Sequence, residues 1–367
     1  MKHLRVRSLK IADMEKLIHL LCRTGVLDQE GARKRARLIE WVAFHNPFAE
    51  NEEPTYFIAE DEGRIVGFHG RMPMHFVING KTEKGYYVHD LFVDPEYRKR
   101  GLGLSITMSL AKAIEEETDS FFCLFGMTPL NQQMQKRRKY HEMSTDAYTK
   151  VMNPRRRLTR ILGENNPLLN ITCAVASRVR SSYDQLFLKL NSYGLTLRQI
   201  ERFDNRFDEF NNRILDRIGI SSLKDSRLLN WKFVDRPFSN DTAFAAERNG
   251  RIVGYIVLTL LPGRKISTGR ILDIMADPED SRVISFLCGA AIDYFRRQDV
   301  DTIGCVVTDK RFARVFKRFL FSSKKRDVKA LFLGNLERCV NRTKLMDIEN
   351  WHLTRGESDG YMLEKLP

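Results

Sequence analysis

Along the chain the spacing of hydrophobic and polar positions changes period in a regular order. After a short apolar run at 4–9, Met14, Leu17, Ile18 and Leu21 recur at helical spacing, and a second helix follows to Trp41. Residues 54–61 and 64–79 read as the arms of a hairpin turning at Glu62-Gly63. A strand over 85–93 comes next. Gly103, Ile106, Leu110, Ala113 and Ile114 then mark one face of a helix. Phe121–Phe125 predicts a further strand, Pro129 opens another helix, and a strand pair runs to Met152. The predicted order is β-αα-ββ-β-α-β-α-ββ, an α/β fold of mixed α+β layers in which a mixed, mostly antiparallel sheet is flanked by helices.

The chain then repeats itself. Trp41-Val42-Ala43-Phe44-His45-Asn46-Pro47-Phe48 shares a W-x5-P-F frame with Trp231-Lys232-Phe233-Val234-Asp235-Arg236-Pro237-Phe238. "FIAEDEGRIVGF" from Phe57 matches "FAAERNGRIVGY" from Phe244, and "VHDLFVDPEY" from Val88 matches "ILDIMADPED" from Ile271. Three blocks in one order mean two copies of one domain. The expected division is 1–153 and 195–344, joined by a basic helical linker at 154–194 and followed by a C-terminal tail at 345–367. In the linker, Ile171, Val175, Val179, Tyr183, Leu186, Phe187 and Leu190 trace an apolar stripe flanked by Arg178, Arg180 and Lys189. Such a stripe packs on the neighbouring domains or lies on a membrane surface, and the first is the commoner arrangement.

Composition narrows the partners. The 367 residues suit two domains, and 43% hydrophobic with 29% charged residues is ordinary for a folded chain. No stretch is apolar for long enough to span a bilayer, and the first residues lack the apolar core of a secretory signal. Cys22, Cys123, Cys173, Cys288, Cys305 and Cys339 show no zinc or disulfide spacing, so no metal is expected and the cytoplasm is the expected compartment. The net charge of +14 favours anionic partners. Its clusters, however, carry no helix-turn-helix, zinc-finger or RNA-module signature, which disfavours nucleic acid.

The chemistry concentrates in "YVHDLFVDPEYRKRGLGLSITMSLAKAIEEE", residues 87–117. A strand that passes to a helix through Arg98-Lys99-Arg100-Gly101-Leu102-Gly103 gathers backbone N–H groups at the positive end of the helix dipole. Gly101 and Gly103 permit positive φ and close approach, and three cations add charge. The loop suits a pyrophosphate. The plain alternative is a tight connection with a solvated basic rim. It fits neither GxxxxGK[ST] nor a GxGxxG dinucleotide loop followed by an acidic residue.

These residues resemble the coenzyme A loop of the GNAT N-acetyltransferase superfamily, whose motif is [Q/R]-x-x-G-x-[G/A], and "DLFVDPEY" resembles the strand that leads into it. The likeness covers residues 1 to about 153, and the second copy makes the chain look like a tandem-GNAT protein. The resemblance implies acetyl-coenzyme A as co-substrate. Leu91, Phe92 and Val93 would pair with the pantetheine arm, and an N–H near Phe92 or Val93 would polarise the thioester carbonyl. Arg98, Lys99, Arg100, Gly101, Leu102, Gly103 and Leu104 would hold the pyrophosphate, and Asn131 would touch the cofactor unless it simply caps its helix.

Acyl transfer needs a base for the amine and an acid for the departing thiolate. Simple alternation puts Tyr87, His89, Leu91 and Val93 on one face of the strand, with Val88, Asp90 and Phe92 on the other. His89 stands where relatives carry a base, although a half-buried structural histidine reads the same way. The family's acid, a Tyr about seven residues beyond Asn131, is replaced by Arg138. Tyr140 lies two residues further on, as a shifted acid or a packed aromatic.

In the second copy Ser281-Arg282-Val283-Ile284-Ser285-Phe286 has lost every loop glycine, so that copy is expected to be degenerate. The implied function is transfer of an acetyl group to the amine of a small-molecule acceptor, an amino sugar or amino acid among the options. The alternative is a non-catalytic acetyl-coenzyme A sensor. Oligomeric state is not written in the sequence.

Overall fold

The computed structural model describes residues 4–25, 27–125, 128–154, 167–261, 267–323 and 329–357. The first half follows the expected order: β1 (Arg5–Ser8), α1 (Met14–Arg23), α2 (Gln29–Phe44), β2 (Tyr56–Asp61), β3 (Arg64–Ile78), β4 (Lys81–Val93), α3 (Pro95–Lys99), α4 (Gly103–Glu116), β5 (Phe122–Phe125), α5 (Pro129–Arg137), β6 (His141–Thr145) and β7 (Ala147–Val151). Glu62 and Gly63 turn the first hairpin with φ of 50° and 78°, the left-handed pair that a two-residue turn requires. Helix α3 adds one element to the expected order. Its signal is Asp94-Pro95: the Asp94 carboxylate accepts from the Glu96 N–H at 2.9 Å, and Pro95 occupies the first helical position.

The second half comprises α6 (Pro167–Asn191), β8 (Thr196–Ile200), α7 (Asn205–Ile214), β9 (Ser221–Ser222), α8 (Ser226–Leu229), β10 (Thr242–Arg248), β11 (Arg251–Leu261), β12 (Thr268–Ala276), α9 (Ser281–Arg297), β13 (Thr302–Val306), α10 (Lys310–Arg318), β14 (Ser322–Ser323) and β15 (Lys329–Gly334). Two mixed sheets result. The first has the order β1-β2-β3-β4-β5-β15-β6 with β9 on β3, and the second β14-β7-β13-β12-β11-β10-β8.

The sheets do not respect a boundary at residue 153. Strand β7 leaves the first half and pairs antiparallel with β13, while β15 inserts between β5 and β6, with Leu331 opposite both Phe125 and Met143. Each half lends its last strand to the other. One apolar cluster accordingly runs from Leu17 and Ile39 through Phe68 and Phe76 to Phe207, Tyr255 and Trp351. The repeated tryptophans meet there, Trp41 Nε1 donating to the Trp231 carbonyl at 3.2 Å. On the opposite face of the first sheet, Ile106, Leu110 and Ile114 of α4 cover Val66, Val88 and Val93. Helix α9 covers the second sheet in the same way through Ile284, Leu287, Ala291 and Phe295.

Two expectations need correction. The C-terminal tail expected from residue 345 is packed as far as residue 357, with Leu345, Trp351 and Leu353 buried in the shared core. In the linker helix Phe187 and Leu188 pack on the second half, but Val175, Val179, Leu186 and Leu190 face solvent. No helix among the described residues is long and apolar enough to cross a membrane.

Candidate functional site

Strand β4 pairs in parallel with β5 only at Tyr86–Phe122 and Tyr87–Cys123. Beyond Tyr87 β4 continues to Val93 without pairing to β5, which keeps only β15 on its other edge as far as Phe125, so the two strands part as a wedge. His89, Asp90, Leu91, Phe92 and Val93 all lie on the diverging stretch. A bulge interrupts it: Gly70 opposes His89 but Phe68 opposes Phe92, leaving Asp90 and Leu91 against one residue, His69. Asp90 takes up the extra residue at φ 54°, held by Arg35 of α2 and by the Tyr56 hydroxyl at 3.1 Å.

The bulge overturns the simple alternation. Phe92 stacks on Phe68 at 5.3 Å and, like Tyr87, His89 and Asp90, turns toward α1 and α2, whereas Leu91 and Val93 join Val88 on the α4 face. Asp90 keeps the structural role expected of it. The ring of His89 sits edge-on to Tyr56 at 5.2 Å and over Gly70, where a Cβ would come within 2.6 Å of the imidazole. Gly70 thus makes room for His89.

At the mouth of the wedge, Asp94 is pinned to Arg23 of α1 at 2.5 Å. Gly101 follows α3 with φ 76°, and Gly103 lies against Arg98, whose Cγ would be 2.8 Å from a Cβ. The N–H groups of Arg100, Gly101 and Leu102 donate to Glu96, Arg98 and Tyr97 carbonyls. The expected donor range of Lys99 to Leu104 therefore narrows. The donors at the start of α4 are Gly103, Leu104 and Ser105, and Leu102 at the N-cap offers no side-chain acceptor. Arg98, Lys99 and Arg100 are exposed beside them. An uncapped helix start, two glycines with separate steric reasons and three cations fit a pyrophosphate.

Asn131 lies in the first turn of α5, which Thr128 caps, and its side chain is half-buried. Tyr140 lies beyond the end of α5, after Lys139 in the left-handed region at φ 61°. Its ring meets Phe122 edge-on at 5.3 Å on the α4 side of the sheet, away from the face that holds His89. Arg138, at the family's acid position, is ion-paired with Glu115 of α4. The structure does not bring His89 and Tyr140 together.

The second sheet repeats the wedge with different contents. Strands β12 and β13 pair only over Thr268–Arg270 and Thr302–Gly304, then diverge. The chain's own residues 351–357 lie between them. His352 Nε2 donates to the Ile274 carbonyl at 3.1 Å, Thr354 Oγ1 donates to Asp273 at 2.9 Å, and the Thr308 N–H donates to the Leu353 carbonyl at 3.2 Å. By the repeat, Ile274 corresponds to Leu91 and Asp273 to Asp90. The start of α9 is capped by the Asp280 carboxylate, which accepts from Val283 and is ion-paired with Arg248 at 2.9 Å.

Sequence reasoning missed the polar knot where this segment ends. Glu357, fully buried, is ion-paired with Lys224, accepts from Ser222 at 2.6 Å and from the Tyr87 hydroxyl at 3.3 Å. Lys224 also reaches Asp273 at 3.1 Å. Burial alone would raise the Glu357 carboxyl, yet Lys224 and Lys232 hold it below its ordinary range. Burial pushes the Tyr87 hydroxyl and the Cys123 thiol well up, and Glu357 pushes them further. No spacing rule marks such a knot, since its members come from four separate segments.

Comparison with known proteins places the fold. The model of the acetyltransferase (GNAT) family matches residues 15–126. No curated protein matches in sequence. Among solved structures, N-myristoyltransferase of Saccharomyces cerevisiae with bound myristoyl-CoA and inhibitors is similar at TM-score 0.58 and 12% identity, over 91% of this chain and 80% of that one. A GCN5-related N-acetyltransferase from Anabaena variabilis reaches 0.55 at 12% identity, over 90% of this chain and 72% of that one. A third, from Kribbella flavida, reaches 0.56 at 13% identity, over 90% and 70%. About nine-tenths of the chain shares the fold of these proteins, and its residues 15–126 match the acetyltransferase (GNAT) family.

Proposed function

We propose that the chain is an acyl-coenzyme A-dependent N-acyltransferase with one cofactor site, in its N-terminal half. The observation that carries this reading is the uncapped start of α4 behind Gly101 and Gly103, at the mouth of the wedge between β4 and β5. Gly103, Leu104 and Ser105 N–H groups, with Arg98, Lys99 and Arg100, would hold the pyrophosphate. Main-chain groups of Leu91, Phe92 and Val93 would align the pantetheine arm as an added strand, and Asn131 would flank it. Acetyl-coenzyme A, when bound, supplies the activated acyl group as a thioester.

In this reading His89 takes a proton from the attacking amine, directly or through water, so that the nitrogen lone pair reaches the carbonyl carbon. The carbon–sulfur bond breaks as the amide forms, and the thiolate takes its proton from solvent, because Tyr140 packs on the sheet face opposite His89 and Arg138 is ion-paired with Glu115. An N–H of Phe92 or Val93 would steady the oxyanion. The acceptor is a small amine, an amino sugar or amino acid suiting a basic protein better than a polyamine. The second half would be a cofactor-free partner, its wedge taken by residues 351–357. All six thiols are free, in keeping with the cytoplasm.

Calorimetric titration of acetyl-coenzyme A, followed by thiol-release assays across an amine panel, tests this. One binding event per chain and turnover with at least one amine supports the proposal; no binding overturns it. The Arg138–Glu115 pair in place of an acid favours the second reading, a sensor that binds without turnover.

A further inference from the structure

Helix α6 presents two faces of opposite fate. Its inner face is fastened: Asp184 is paired with Lys150 at 3.0 Å, Arg180 donates to the Val151 carbonyl at 2.7 Å, and Phe187 meets Phe319 at 4.9 Å. Its outer face is apolar. Val175, Val179, Tyr183, Leu186 and Leu190 are 55%, 65%, 41%, 58% and 66% exposed. Their separations of four, four, three and four residues keep them on one stripe, ~22 Å long at the helical rise. Globular surfaces rarely carry such a run without a partner.

Charge decides among partners. Asp184 is the helix's one acidic residue and it is turned inward, so the exposed flanks carry Arg178 and Lys189 alone. The Tyr183 hydroxyl donates to the Arg318 carbonyl, which brings exposed Lys317, Arg318 and Leu320 to the same side. Beyond the helix, Tyr193 is 85% exposed, with Arg282 against its ring. A second copy laid along this stripe would set cations against cations with no acidic partner. A surface of anionic headgroups matches both the charge and the stripe.

We propose that α6 docks the protein on the surface of an anionic bilayer, its stripe lying in the plane of the interface and Tyr183 and Tyr193 at headgroup depth. The helix is fixed to the second half, so docking orients the whole molecule. It does not depend on acyl transfer.

Flotation with vesicles of equimolar phosphatidylcholine and phosphatidylglycerol, against phosphatidylcholine alone, tests this. Wild type should float with the anionic vesicles at low ionic strength and be released by salt. Leu186→Ser/Leu190→Ser should weaken partitioning at least about tenfold, and its thermal unfolding should stay unchanged because both side chains face solvent. Arg178→Gln/Lys189→Gln should remove most of the salt dependence. The proposal is overturned if wild type stays in the aqueous fraction, or if the double serine variant floats equally well. It is also overturned if sedimentation shows a dimer that the serine variant dissociates, which would assign the stripe to a second copy.

Discussion

The backbone N–H of Val283 donates to Oδ1 of Asp280 at 3.1 Å, so α9 carries at its N-terminus a carboxylate of its own where α4 has only Leu102. A phosphate approaching α9 would meet that negative charge, and the wedge behind it holds His352 and Thr354. Calorimetry should therefore count one acetyl-coenzyme A per chain. Gly101→Val places a β-branched residue at φ 76°, a conformation costing roughly 1–2 kcal/mol, and should weaken binding at least about tenfold. Asp280→Asn should leave the stoichiometry at one. A second site appearing in that variant would contradict the account of the C-terminal half.

If His89 is the base, its removal strikes the rate and spares the cofactor. His89→Ala should lower kcat about 100-fold while the affinity for acetyl-coenzyme A holds. Gly70→Ala offers a finer probe, since its Cβ would press on the imidazole from 2.6 Å. An intermediate loss of kcat is expected there. Equal affinity and equal rate in both variants would reduce His89 to a packing residue.

Tyr140 should behave as packing. Tyr140→Phe keeps the edge-on contact with Phe122 and should leave kcat within about twofold. Tyr140→Ala should cost roughly 1–2 kcal/mol of stability in denaturant unfolding. A large rate loss in the Phe variant would restore the hydroxyl as an acid.

The buried knot sets a pH window for stability. Burial holds the His352 imidazole below its ordinary value of 6.5, so that group favours folding above 6.5 and the benefit fades as pH falls toward its folded value. Glu357 lies below its ordinary 4.5 and withdraws its share as pH falls further. Lys224, raised above 10.5 by Asp273 and Glu357 despite burial, keeps its share until pH climbs past the folded value. Stability should be highest between about 6.5 and 10.5. His352→Gln should flatten the acid limb between pH 7 and 5 in thermal melts, and Glu357→Ala should destabilise by about 1–3 kcal/mol, because it leaves Lys224 with Asp273 alone and takes the acceptor from the Ser222 and Tyr87 hydroxyls.

The elements of the first half were legible because each keeps one period for its whole length, and the duplication because three blocks recur in order. Asp90 was not. A bulge leaves the apolar pattern of β4 intact while reversing which face Leu91 and Phe92 use, and only the left-handed φ of Asp90 reveals it. The strand exchange was equally silent, since β6 and β7 read as a hairpin whichever sheets they join. Trp351 and Leu353 sit in what reads as a tail, and their partners at Ile220 and Thr308 are distant in sequence and share no spacing with them.

The lending of last strands bears on how the protein is made. Strand β5 waits for β15 as its outer neighbour, so the sheet that holds the glycine loop is unfinished until residue 334 has left the ribosome. An emerging N-terminal half would present the edge of Phe122–Phe125 for most of synthesis, an invitation to mispairing. Closing that edge joins residues about two hundred positions apart, which makes it a slow and late event in folding. The half that bears the candidate chemistry is then completed by the half that lacks it, so coenzyme A binding reports on a finished chain.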